Sequence, residues 1–327
     1  MRLHRILIIL LSLSLFACKK EEDVFVRKDI PQLHVEEIIN LVKREAVYRH
    51  QIDWVDFERR VKEKAKDATT IEETYPAIEL ALTLLQESHS VYVSTTGKQI
   101  YTPGKGCKRT YPTAVPEDEE IGYLKIDSFA GTNESMVMAY ATAAHEIIEA
   151  ADKRELKGWI VDLRGNNGGN MAPMMLGVGP VLGSGIAGYF IDTYDVRKCW
   201  RYDESIGRLS VCSVGNSPGG MVYMDKSYSL KKPNPKVAVL VDGAVASSGE
   251  IVFISFIGRP NARSFGSPSC GASTELKGYR LSDGSTLNLA RALFADRNQT
   301  TYGKQVYPDE TLPDDEAVRR AIEWLKE

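Results

Sequence analysis

Two stretches of the chain share a pattern that few folds can satisfy. In each, a run of apolar residues carries an aspartate at or near its end, a turn rich in small residues follows, and a helix-compatible run comes after it. The first is Trp159 to Leu163 leading into Arg164 to Gly169, and the second is Val237 to Val241 leading into Asp242 to Glu250. A strand apolar on both faces must be covered on both faces, and strands alternating with helices signal a parallel or mixed sheet. Ile121 to Ile126 reads as a further strand, and Asn133 to Lys153 as a long amphipathic helix carrying Met136, Tyr140, Ala143 and Ile147. The expected core is therefore α/β.

Other segments fill in around it. Residues 31 to 88 read as helices, with Val35, Ile38, Ile39 and Val42 on one face and Trp54, Phe57 and Val61 on another. Thr70 with Glu73 forms a capping box before a helix that buries Ile78, Leu82 and Leu85. Residues 192 to 235 read as a polar, irregular insert. Two β segments, 278–281 and 286–294, flank the Ser282-Asp283-Gly284-Ser285 turn, and Asp314 caps a final helix. The expected division is a helical cap over 31–115 and a core over 116–327. With 41 basic and 44 acidic residues interspersed over 327 positions, the chain lacks the concentrated basic footprint of a nucleic-acid binder.

The N-terminus belongs to targeting rather than to the fold. Arg2 and Arg5 precede an apolar run from Ile6 to Phe16, about half of the roughly 20 residues that span a bilayer. Ala17 before Cys18 resembles a bacterial lipobox. Residues 1–17 then form a signal peptide, Cys18 the lipidated first residue, and 18–30 a membrane-anchored tether. An exported chain permits disulfides; Cys199 with Cys212 is the preferred pair, leaving Cys107 and Cys270 either bonded or free. No CxxC pair suggests a metal site, and no organic cofactor is implied.

Chemistry converges on a few residues. In Asp162-Leu163-Arg164-Gly165-Asn166-Asn167-Gly168-Gly169, unusual backbone angles allow successive N–H groups to face one negative oxygen. In Ala246-Ser247-Ser248-Gly249-Glu250, a hydroxyl lies at the positive end of a helix dipole, where an oxyanion is favoured. The same Ser247 and Glu250 also make a capping box, a purely structural use of that hydroxyl. A GxSxG elbow is excluded because Val245 stands where its first glycine is needed. A serine needs a base. His34 and His50 read as surface groups and His145 as a packing residue, whereas His89, between Ser88 and Ser90 at a helix end, has a firm and accessible mounting.

These runs, followed by Gly266-Ser267-Pro268-Ser269-Cys270-Gly271-Ala272-Ser273-Thr274 and by Tyr307-Pro308-Asp309, resemble the tail-specific, or C-terminal processing, peptidase family over residues 120 to 327. The resemblance implies a ClpP/crotonase-like mixed sheet core and places the nucleophile at Ser247. The Ser/Lys branch of the family carries Lys where Ala272 stands here, with Lys277 a displaced substitute. The branch typified by the tricorn core uses His with an adjacent Ser, which Ser88 and His89 match. The orienting acid then falls on Asp296, with Asp309 and Glu87 as competitors, and the oxyanion hole on the N–H groups of Gly168 and Ser248. The interval from His89 to Ile121 is too short for a PDZ domain.

The expectation is an envelope-anchored serine endopeptidase acting on peptide or unfolded protein. A non-catalytic peptide-binding or scaffold lipoprotein of the same fold, or a hydrophobic-ligand carrier, is the alternative.

Overall fold

The computed structural model describes residues 29–103, 106–108, 110–212 and 219–327. The expected signal peptide and the lipidation site Cys18 lie outside the described residues. Three helices, α1 (Ile30–Glu45), α2 (Trp54–Ala65) and α3 (Tyr75–Leu84), precede β1 (Val91–Val93), β2 (Gln99–Tyr101) and β3 (Ile121–Lys125). Then follow α4 (Glu134–Ala151), β4 (Gly158–Asp162), α5 (Met171–Leu182), β5 (Gly185–Asp192), β6 (Arg197–Asp203), β7 (Arg208–Val211), β8 (Met221–Tyr223) and β9 (Lys236–Val241). The chain closes with α6 (Ser248–Phe256), β10 (Ala262–Gly266), β11 (Thr274–Arg280), β12 (Thr286–Asp296), β13 (Glu310–Thr311) and α7 (Asp314–Lys326).

The two strand directions are segregated into separate sheets. A five-stranded sheet in the order β13-β10-β9-β4-β3 is parallel throughout. An eight-stranded sheet, β2-β1-β12-β5-β6-β7-β8 with β11 also on β12, is antiparallel. Alternation along the parallel strands explains the layers: Trp159, Val161, Val237, Val239 and Val241 face α4, α5 and α6, while Ile160, Ala238 and Leu240 face α7. The first core reaches Phe190, Trp200 and Phe294 of the antiparallel sheet, which α5 and α6 contact, whereas α4 packs on β3 and α5. All nine residues of α6 are buried, including Glu250.

Several expectations change on this architecture. The helical region does not stand apart from the core. Its helices pack on Leu281, Leu287 and Leu289, and β1 and β2 extend the same sheet as β12, so the contacts cross position 115. The insert over 192–235 includes three strands, β6 to β8. On α4 the buried stripe is Val137, Ala141, Ala144 and Ile148, one residue along from the expected one, and Met136 and Ile147 are exposed. The helix starts from its Asn133 cap, and Ala141 and Ala144 face Gly177 of α5, which accounts for that rotation. His34 is 3% exposed rather than on the surface, with Nε2 3.2 Å from the Tyr92 hydroxyl, because α1 presents it to β1. Asp314 is the first residue inside α7 and not its cap, since its carboxylate is drawn to Arg164 and the Thr113 N–H. Both cysteine pairs are bonded, Cys199 with Cys212 and Cys107 with Cys270.

Arg164 pins the end of β4 to α7. It is 2% exposed and donates Nε to Asp162 Oδ1 at 2.9 Å, Nη2 to Asp162 Oδ2 at 2.7 Å and Nη1 to Asp314 Oδ1 at 2.8 Å. The guanidinium holds the Asp162 carboxyl below the usual carboxylate range despite burial, with Lys125 contributing. Arg164→Met leaves a buried carboxylate short of its main partner and is expected to cost about 3 kcal/mol in equilibrium urea denaturation; a loss below about 1 kcal/mol would contradict this role.

Candidate active site

The two motif turns meet because β4 and β9 are adjacent and parallel, so their C-terminal ends lie at the same edge of the sheet. The Ala246 N–H donates to the Asn166 carbonyl at 3.0 Å, and the Asn166 side chain donates to the Ile126 carbonyl at 2.8 Å. The Ser248 hydroxyl donates to the Gly169 carbonyl at 2.7 Å. Gly168 has φ +95°, and a Cβ there would stand 2.6 Å from the Ala246 carbonyl oxygen and 2.9 Å from both Ser247 Cβ and the Ser248 nitrogen. Glycine is required by both conformation and space.

Ser247 sits between this turn and α6 with φ +51° and ψ −121°, a conformation rare for a residue with a side chain. Such strain persists only where surrounding structure imposes it. The residue is partly exposed rather than walled in, and it precedes the N-terminus of α6, whose dipole favours negative charge at that point.

Glu250 supplies the constraint. Fully buried, its carboxylate accepts the Ser247 N–H at 2.9 Å on one oxygen; on the other it accepts the Gly271 N–H at 3.0 Å and the Ser269 hydroxyl at 2.5 Å. Burial pushes its pKa up to about 7, outweighing these donors, which favour the charged form. The capping box seen in the sequence therefore also ties Ser247 to the 269–271 loop. Cys270 strengthens the tie, donating its N–H to the Val245 carbonyl at 2.8 Å while bonded to Cys107.

The same loop continues into β11 and meets His89. The imidazole Nδ1 lies 2.9 Å from Thr274 Oγ1. Gly271 and Thr274 are three residues apart, a span of at most about 11 Å, so the anchors of Ser247 and His89 belong to one short segment. The Glu87 carboxylate accepts the N–H groups of His89 at 2.6 Å and Ser90 at 3.1 Å, and Ser90 Oγ accepts the Ala290 N–H at 2.9 Å, which fixes the His89 backbone on β12. Burial lowers the His89 pKa to about 4, so the imidazole is neutral at physiological pH.

Other expected members fall elsewhere. The Ser88 hydroxyl makes no hydrogen bond to a described residue, because His89 turns Nδ1 towards β11 instead. The Asp296 carboxylate is occupied by the N–H groups of Asn298 at 2.8 Å and Thr300 at 3.1 Å and by the Tyr302 hydroxyl at 3.0 Å, closing a turn after β12 rather than orienting His89. Asp309 accepts the Ser264 N–H and hydroxyl, and Glu87 holds backbone only. The Gly168 N–H is already donated to Asn166 Oδ1 at 2.9 Å, whereas the N–H groups of Ser248 and Gly169 are free of described partners. Ala272 is buried, and Lys277 is exposed with Nζ 4.9 Å from the centre of the Tyr279 ring. Thr274 and the loop-binding role of Glu250 were missed; Thr274 ends the third motif, but nothing in a motif shows which side chain faces a histidine. Among the described residues no three His, Cys, Asp or Glu side chains converge as metal ligands, and no helix is long and apolar enough to cross a membrane.

Comparison with known proteins bears on the family and the fold. The model of peptidase family S41 matches residues 120–312. The nisin-resistance protein of Lactococcus lactis subsp. lactis is 29% identical over 299 residues, covering 90% of this chain and 87% of that protein. The carboxy-terminal processing protease CtpA of Bacillus subtilis is 28% identical over 182 residues, 55% of this chain and 32% of the protease. A lipoprotein from Streptococcus agalactiae superposes with a TM-score of 0.65 at 21% identity, covering 98% of this chain and 99% of that one. A putative peptidase from Parabacteroides merdae does so with 0.61 at 18%, covering 90% and 96%. At these identities the superpositions speak for the fold alone.

The raised pKa of Glu250 has a consequence for stability. The folded state keeps the proton more readily than the unfolded chain, so the contribution of this group is full below pH 4.5 and is lost as pH rises through 7. The stability of wild type relative to Glu250→Gln, which does not titrate, is expected to fall across that window by an amount on the order of 3 kcal/mol in urea denaturation. A flat difference would show that the folded-state pKa of Glu250 is not raised above its unfolded value.

Proposed function

The chain belongs to peptidase family S41, and on that premise we propose that it is an exported, lipid-anchored serine endopeptidase in which Ser247 is the nucleophile and His89 the general base. The observation that carries this reading is that one segment, 269–274, anchors both groups, through Glu250 to Ser247 and through Thr274 to His89. With Nδ1 engaged at β11, Nε2 is the nitrogen left to take the Ser247 proton. The alkoxide attacks the peptide carbonyl, and the tetrahedral oxyanion draws on the N–H groups of Ser248 and Gly169. His89 returns the proton to the leaving amine, an acyl-enzyme forms, and water attacks it by the same path. A buried Ala272 and an outward-facing Lys277 favour His over a lysine base.

The lipid anchor rests on Ala17-Cys18, where the sequence resembles a lipobox. The name of the relative matched over nine-tenths of this chain extends the proposal to nisin as a substrate to be tested beside unfolded peptide.

Ser247→Ala is expected to abolish hydrolysis of unfolded peptide and labelling by a serine-directed phosphonate with Tm unchanged. Hydrolysis persisting at the wild-type rate excludes Ser247, and absence of hydrolysis by wild type supports the scaffold. Because the base is neutral down to about pH 4, the acid limb of kcat/KM should lie well below the ordinary histidine value of 6.5. A limb at or above 6.5 would contradict a His89 base whose pKa is lowered by desolvation.

A further inference from the structure

We infer that Thr274 is the positioning residue for His89, a neutral hydroxyl holding the imidazole in the orientation and tautomer that leave Nε2 as a proton acceptor; this rests on the Ser247–His89 reading. The Thr274 hydroxyl is 2.9 Å from Nδ1, and the residue is 2% exposed. It opens β11, with its N–H donated to the Ala272 carbonyl at 2.9 Å, its register set opposite Leu293, and the preceding Ser273 carbonyl accepting the Phe294 N–H at 3.1 Å. A β-branched side chain on a backbone held in this way has little rotamer freedom, so its oxygen is a fixed point. The three carboxylates considered for this role are spent, Glu87 on backbone N–H groups, Asp296 on the turn after β12 and Asp309 on the Ser264 N–H and hydroxyl.

A hydroxyl differs from a carboxylate in what it does to the base. Accepting the Nδ1 proton selects the tautomer, as an acid would, yet adds no full negative charge to stabilise the imidazolium. The imidazole then stays neutral at rest and becomes charged only as the tetrahedral oxyanion forms. The placement is also coupled to the nucleophile, since Thr274 and the Glu250-bound Gly271 share one loop.

The test compares Thr274→Val, nearly isosteric but without the hydroxyl, with Thr274→Ser, using His89→Ala as reference. Thr274→Val should lower kcat by about 10- to 100-fold with KM little changed, less than or comparable to the loss of about 10²–10⁴ expected on removing the base. Thr274→Ser should stay within about threefold of wild type, because it keeps the donor–acceptor oxygen. Nitrogen-15 spectra of histidine-labelled protein should show His89 as the Nδ1–H tautomer in wild type and Thr274→Ser, and as a mixture in Thr274→Val. Wild-type kcat and an unmixed tautomer in Thr274→Val, with His89→Ala inactive, would overturn this inference while sparing the Ser–His reading. Equal losses in both Thr274 variants with the tautomer unmoved would likewise assign Thr274 a merely structural role. A fully active His89→Ala would overturn the Ser–His reading itself.

Discussion

A single buried carboxyl group holds the candidate site together. Glu250 lies within a helix enclosed on every side, where an ionised group with no partners would be costly. Its oxygens meet donors from two directions, the backbone of Ser247 and the 269–271 loop, so the helix start and the loop are one unit. A carboxylate has two acceptor oxygens and can face both; an amide would turn a donor towards one set of donors. That geometry makes Glu250 specific to its place and explains why a group that burial pushes towards neutrality is nevertheless retained there.

The unit then recruits the rest of the molecule. The parallel sheet delivers the turn around Asn166 to the turn around Ser247, because neighbouring parallel strands end at the same edge. The antiparallel sheet delivers His89, since β1 pairs with the start of β12 and β11 lies along its other side. The loop from Gly266 to Thr274 crosses from one sheet to the other, and the bond between Cys107 and Cys270 fastens the connection after β2 to it. Ser247 and His89 thus come from different layers, and their relative position depends on a few residues of loop rather than on either sheet alone.

The strands ending in the Asp162 and Asp242 motifs, the capping pair Ser247 and Glu250, and the accessible mounting of His89 were all legible in the sequence. Each depends on interactions among residues within a few positions of one another: apolar runs, turn residues and caps act locally. The family motifs around Ser247 were legible for the same reason, since they are contiguous. What the sequence did not show is which groups occupy the oxygens and N–H groups of the other expected site residues. Asp296 had the right chemistry, but its own turn at 298–302 claims its oxygens; Gly168 had the right backbone freedom, but Asn166 takes its N–H; Ser88 had the right neighbour, but the imidazole turns to β11.

The amino-acid sequence by itself determined the α/β character, the two strand-to-helix turns and the capping pair Ser247 and Glu250, because periodicity, glycine placement and capping are properties of short segments. Only the tertiary structure decided that Thr274 faces His89, that Glu250 binds a loop about twenty residues away as well as its own helix cap, and that helices α1 to α3 share a core with β12. Those pairings arise from the packing of two sheets around α6, and a hydrogen bond between distant residues is set by which surfaces fold together, not by either residue's neighbours.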